Sequence, residues 1–278
     1  MNDLKGFANK SRLEFWIAIG LFVIFTIGFI YINQFPIESS LRMRQIFGGF
    51  YTLMALYGGI VGVLVSKNWG GYKSLMGRAI LFLSLGLFLQ TFGQVSNSIY
   101  NVFLQVEIPY PSLGDVGFFG SVFAYLYGAY CLLQTSGAKF SLRLYQNKIW
   151  AVLIPLIILL TSYFIFLRGY EFDWTDKIKV LLDFGYPLGQ ASYISIALLA
   201  LLTSRKILGG IMRKPILFFL LALAFDYLAD FIFLYQVSRG TWVTGGINDY
   251  EYFVSYFVMT LAIIYVGSTF KQIRETNE

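Results

Sequence analysis

Apolar residues run almost unbroken through eight stretches of the chain, approximately 14–33, 46–66, 79–102, 115–135, 149–168, 180–203, 215–236 and 250–270. Each is close to the roughly 20 residues that a helix needs to cross about 30 Å of hydrocarbon. Short polar segments separate them. The pattern predicts an all-α polytopic membrane protein of eight transmembrane helices, folded as a single transmembrane bundle over residues 1–278 with the lipid bilayer as its principal partner. Glycines inside the runs, among them Gly58, Gly59, Gly62, Gly86 and Gly93, suit close helix approach in lipid.

The polar residues inside these runs recur at helical spacing. Gln90, Gln94 and Asn97 fall at i, i+4, i+7 on the third run. Asp183, Tyr186 and Gln190 fall at i, i+3, i+7 on the sixth. Asp226 and Asp230 are one turn apart on the seventh, and Asp249, Tyr252 and Tyr256 repeat the i, i+3, i+7 pattern on the eighth. Polar groups are expensive in hydrocarbon and face a bundle interior or water. With Asp115 at the head of the fourth run, these twelve residues are the candidate ligand-binding set. The plainer reading of the Gln and Asn stripe is helix bridging. Asp226 and Asp230 repel each other, so one holds a proton or the pair holds a cation. No Lys or Arg lies in the core of any run, which makes a cation, a proton or a cationic ligand the expected partner.

Composition narrows the chemistry. The chain of 278 residues is 57% hydrophobic and 13% charged, against about 25% charged for an ordinary soluble domain. It contains no histidine, which removes His-held haem, His-zinc sites and Ser-His or Cys-His catalysis. Its single cysteine, Cys131, lies in an apolar run and reads as a small core residue. No EF-hand spacing is present, no cofactor or metal site is expected, and no catalytic residue can be named. No basic cluster is dense enough for nucleic acid. No run places a lysine deep in a helix, as a retinal protein would need.

The charge distribution orients the bundle. Fifteen of the 21 Lys and Arg residues fall in the two termini and the alternate loops that hold Lys67, Lys73 and Arg78, then Lys139, Arg143 and Lys148, then Arg205, Lys206, Arg213 and Lys214. The other six are Arg42, Arg44, Arg168, Lys177, Lys179 and Arg239. The bias puts both termini in the cytoplasm of a cell-membrane protein. The first run, following Lys5, Lys10 and Arg12 with no small-residue cleavage site after it, reads as a spanning helix rather than a leader. Glu38, Glu107, Asp115, Glu171, Asp173, Asp176, Asp183, Asp249 and Glu251 cluster at the opposite side, so the expected pocket is acidic and opens outward.

The polar pattern also divides the chain in two. Gln90-x-x-x-Gln94 followed by Asp115 is echoed by Asp226-x-x-x-Asp230 followed by Asp249, which predicts two four-helix repeats, 14–135 and 149–270. Pro187, four residues after Asp183, is a kink candidate beside the pocket. Tyr125, Tyr127, Tyr130, Tyr227, Tyr250, Tyr252 and Tyr256 are either cavity lining or interfacial aromatics, and Trp242 is expected to anchor its loop at the headgroups.

The segment Pro109-Tyr110-Pro111-Ser112-Leu113-Gly114-Asp115, followed by an apolar helix, resembles a recurring element of multi-span bacterial membrane sensor regions. These regions precede diguanylate cyclase, phosphodiesterase and histidine kinase domains, and the pattern there runs Pro-x-Pro-Ser-x-Ala-Asp, with Gly114 here in place of Ala. Asp183-Phe184-Gly185-Tyr186-Pro187, Ala229-Asp230 and Asp249 are similar to later parts of the same regions. The resemblance spans residues 80–268 and implies a sensory module. Residues 267–278 are too few for the output domain found in that group, so signalling through a separate cytoplasmic partner is the expectation. The functional expectation is a membrane-embedded sensor or ligand-binding module for an unknown small ligand or cation. The alternatives are an intramembrane acid/base hydrolase acting on lipid and a proton- or cation-coupled transporter.

Overall fold

A computed structural model describes residues 12–135, 145–168, 174–207 and 213–277. All regular structure among them is helical. The elements are α1 (Arg12–Ile32), α2 (Ile37–Phe50), α3 (Leu53–Asn68), a 3₁₀ turn (Gly71–Lys73), α4 (Leu75–Ser98), α5 (Leu113–Thr135), α6 (Tyr145–Ser162), α7 (Lys177–Ile207), α8 (Arg213–Ser238) and α9 (Ile247–Asn277). α4 and α6 end in π-helical turns, Ile99–Leu104 and Tyr163–Leu167. Of the charged residues that orient the sequence, Lys5, Lys10, Lys139, Arg143, Glu171 and Asp173 lie outside the described residues.

Seven helical segments are long and apolar enough to cross a bilayer. The chain is a multi-pass membrane protein. The apolar runs predict eight spans; all eight runs are helical among the described residues, the second in two pieces, but the fifth falls short of that length. The fifth run gives the shortest apolar segment described, Val152–Leu167, with Pro155 inside its helix.

The second span is longer than its apolar run and is broken. It extends over Ile37–Asn68, so Arg44, read from the sequence as a loop residue, stands inside it and is 4% exposed. The sequence reading places no Lys or Arg in the core of any run, and Arg44 lies just before the second run, inside the longer helical segment. The helix continues past Arg44 with the guanidinium hydrogen-bonded inside the bundle. The break falls at Tyr51 and Thr52, where Met54 N bonds to Tyr51 O at 3.2 Å in a tightened turn. Irregular backbone at this depth is tolerated where protein or a cavity covers it.

Six spans close into a ring: α2/α3 packs on α4, α4 on α5, α5 on α7, α7 on α8, α8 on α9, and α9 back on α3. α1 lies outside it against α9, with Phe22 stacked on Phe257 at 4.1 Å and Phe29 on Tyr250 at 4.4 Å. α6 lies outside against α7. The α4–α5 pair is the closest packed because glycines let the two backbones approach. A Cβ at Gly117 would stand 2.6 Å from Gly93 N, and Gly86 and Gly93 seat the rings of Tyr125 and Phe118. Cys131 is buried in the core, as its apolar setting predicts.

Candidate functional site

A cavity of about 350 Å³ opens into one end of the ring. The C-terminal part of α4, the N-terminal parts of α5, α7 and α9, the C-terminal part of α8, and α2 just before the helix break all contribute to it. Its volume falls within the roughly 300–1,000 Å³ of small-molecule pockets.

The Pro-Tyr-Pro-Ser-Leu-Gly-Asp segment shapes one wall, and its local chemistry is that of a helix start. Ser112 Oγ accepts from Gly114 N at 3.1 Å, while Asp115 Oδ2 accepts from Ser112 N at 2.7 Å. The two side chains thus satisfy opposite backbone donors at the head of α5, in the manner of a capping box. Asp115 Oδ1 is left facing α7, where Tyr186 Oη donates to it at 2.8 Å. In return Tyr110 Oη donates to Asp183 Oδ1, on α7, at 2.6 Å. Two phenol–carboxylate bonds of opposite sense therefore tie the motif to α7.

The facing wall carries a second carboxylate group. Asp230 takes Tyr252 Oη at 2.8 Å on one oxygen and Tyr193 Oη at 3.0 Å on the other. Tyr193 Oη also reaches Asp226 Oδ2 at 3.3 Å, and Ser255 Oγ lies 3.2 Å from Asp226 Oδ1. Asp249 Oδ2 accepts from Gly245 N at 2.6 Å. Gln90 bridges three helices, donating to Ser121 Oγ at 3.0 Å and accepting from Tyr256 Oη at 3.1 Å. Gln94 Nε2 donates to Gly48 O at 2.7 Å, beside the broken turn of the second span.

Eleven of the twelve candidate residues line this one cavity: Gln90, Gln94, Asn97, Asp115, Asp183, Tyr186, Gln190, Asp230, Asp249, Tyr252 and Tyr256. Asp226 does not. It is 2% exposed and lies behind the wall, reached only through Tyr193 and Ser255. The Gln stripe both bridges helices and faces the cavity, so the two readings of it coexist. Of the tyrosines considered, Tyr252 and Tyr256 are lining residues; Tyr125 is buried in the core, and Tyr127, Tyr130, Tyr227 and Tyr250 face elsewhere.

The loop before α9 is the largest departure from the sequence reading. Trp242, read from the sequence as a headgroup anchor, is a lining residue of the cavity. It folds inward over the cavity with its ring edge-on to Phe233 at 6.0 Å. Arg44 draws the loop in: its guanidinium donates to Gly245 O at 3.2 Å, to Asn33 Oδ1 at 3.0 Å and to Ser40 Oγ at 2.9 Å. Gly245 has φ +67°, and a Cβ there would stand 2.7 Å from Arg44 Cβ, so this position requires glycine. No spacing rule links Arg44 to residue 245. A buried arginine at the edge of an apolar run was the available signal.

Charge in the cavity has one sign. Asp115, Asp183, Asp230 and Asp249 line it, and no Lys or Arg is among its described lining residues. A second hollow of about 330 Å³ shares Gln45 and Asn101 with it and adds Arg42, Gln105, Val106 and Glu107. Comparison with protein-family models, curated proteins and solved structures finds no match to this chain.

Proposed function

We propose that this chain is a ligand-binding sensor module of the cell membrane, with an outward-facing acidic pocket and both termini in the cytoplasm. The observation that carries the reading is the single-sign cavity: four carboxylates from four helices around one volume of small-molecule size. Asp230 and Asp249 are 6% and 4% exposed, and carboxylates so buried serve stability poorly, whereas a ligand of complementary charge would favour their charged form. The residues around the cavity also lie at irregular points of the bundle. Gly48 and Tyr51 lie at the break of the second span, Tyr186 precedes Pro187 on α7, and the Trp242 loop covers the opening. Occupancy would be passed to the cytoplasmic ends of these helices and read by a cytoplasmic partner. The ring order, with spans two to four followed by spans six to eight, supports a bundle of two related halves.

The reading is tested by thermal unfolding of purified protein against a panel of small molecules. A ligand at about 100 times its dissociation constant stabilises by roughly 2.7 kcal/mol. Wild type should respond, and Asp230→Asn and Asp249→Asn should lose the response while remaining folded. A response that survives in both variants places the ligand elsewhere.

One observation favours a second reading, coupled transport. Tyr193 Oη spans from Asp230 at the cavity wall to Asp226 in the interior, a route for a proton or cation inward. Substrate flux into proteoliposomes that depends on Asp226 would favour transport; binding without flux favours the sensor.

A further inference from the structure

The walls of the cavity discriminate by charge and by shape together. Asp115, Asp230 and Asp249 accept bonds from phenols and backbone amides, and these donors are neutral. A carboxylate offers about four acceptor positions, so further donors can be added. Asn97 brings one more acceptor to the wall: its Oδ1 is buried and has no hydrogen-bond partner in the described structure.

The carboxylates do not converge. They arrive on four different helices, and among the described residues no three acidic, His or Cys side chains are grouped closely enough to hold a metal ion. A hard cation such as Ca²⁺ needs its oxygens gathered within about 2.3–2.6 Å of one point. The lining also carries an apolar and aromatic set, Phe118, Val122, Phe233, Leu234 and Trp242. The rings of Tyr51, Tyr252 and Tyr256 supply faces of the kind that attract organic cations.

Separated negative points joined by apolar surface match an alkyl chain carrying protonated amines at more than one position. We propose that the cavity binds a small aliphatic diamine or polyamine, its ammonium groups on the dispersed carboxylates and its methylenes on the aromatic wall. This rests on the reading of the cavity as a ligand site.

The test uses the full chain in lipid nanodiscs, read by thermal unfolding and by tryptophan fluorescence, since Trp242 lines the cavity. The probes are α,ω-diaminoalkanes from butane to octane, the matching monoamines and diols, Mg²⁺ and Ca²⁺, and a panel of neutral and anionic metabolites. Diamines should stabilise the protein, with an optimum at one chain length. Monoamines should bind roughly tenfold or more weakly, as loss of one charged hydrogen-bonded contact implies, and diols should not bind. Asp115→Asn and Asp230→Asn should each weaken diamine binding about tenfold. Asp249→Asn should do the same should either of those fail to fold. Glu38→Gln, on the exposed surface, should change nothing. A response to Mg²⁺ or Ca²⁺ in place of diamines overturns the proposal in favour of a metal. A neutral or anionic ligand whose binding is lost in Asp230→Asn overturns the amine class and leaves the cavity a binding site. Silence towards every probe overturns both.

Discussion

Tyr186 Oη donates to Asp115 Oδ1 across 2.8 Å, joining the head of α5 to the middle of α7's N-terminal half. The bond joins a helix cap to a cavity wall. Asp115 spends one oxygen on Ser112, at the start of its own helix, and the other on a neighbouring helix. Removing the hydroxyl alone, in Tyr186→Phe, should destabilise the protein by about 1–2 kcal/mol, a hydrogen bond to a charged group. Ser112→Ala should cost about 1 kcal/mol through loss of the cap. Asp115→Ala removes both functions and should cost more than either, as measured by thermal or denaturant unfolding in a fixed detergent.

The Arg44–Gly245 contact predicts a specific weakness in the loop over the cavity. Gly245→Ala meets both a left-handed backbone and the Arg44 side chain, and should lower stability by about 1–3 kcal/mol. Arg44→Met should release the loop by deleting the guanidinium bond to Gly245 O, together with those to Asn33 and Ser40. Limited proteolysis between Arg239 and Gly246 should then quicken in both variants relative to wild type.

Tyr193→Phe separates the two intramembrane aspartates. Among the described residues, Asp226 would keep Ser255 as a side-chain donor and Asp230 would keep Tyr252. Loss of a donor to a buried polar group costs about 1–3 kcal/mol. Under the sensor reading this variant keeps its ligand response at reduced stability. Under the transport reading it loses flux.

The close α4–α5 contact should be intolerant of volume. Gly117→Ala places a methyl against Leu89 O and Gly93 N, which are backbone atoms with little room to yield. A loss of about 1–3 kcal/mol is expected. Gly120→Ala on the same helix meets only Leu89 side-chain atoms at 3.6 Å and should be nearly silent, which makes it the matched control in the same unfolding assay.

Orientation can be read with the native cysteine removed. In a Cys131→Ala background, Thr241→Cys, in the exposed loop over the cavity, should react with an impermeant maleimide added outside intact cells. Tyr72→Cys, exposed at the opposite end within the 3₁₀ turn, should react only after the membrane is opened. The reverse pattern would turn the cavity toward the cytoplasm.

Hydrophobic run length and polar spacing were sufficient to read the helices and their inward stripes from the chain. Run length reports whether a segment can span, and the 3.6-residue period reports which side chains share a face. That is why Gln90, Gln94 and Asn97 could be grouped before any coordinates, and why the Asp183, Asp226 and Asp249 faces could be set beside them. Period does not report depth or neighbours. Asp226 and Asp230 share a face, yet only the packing of α7 against α8 puts Asp230 at the cavity and Asp226 behind Tyr193. The boundary of the second span, the burial of Arg44 and the inward fold of Trp242 depend on contacts between residues far apart in the chain. Local composition determined that this chain fills a membrane with helices whose polar faces turn inward. Tertiary packing alone decided that those faces meet around one acidic cavity, because the closing of the ring, and not any single helix, places the four carboxylates together.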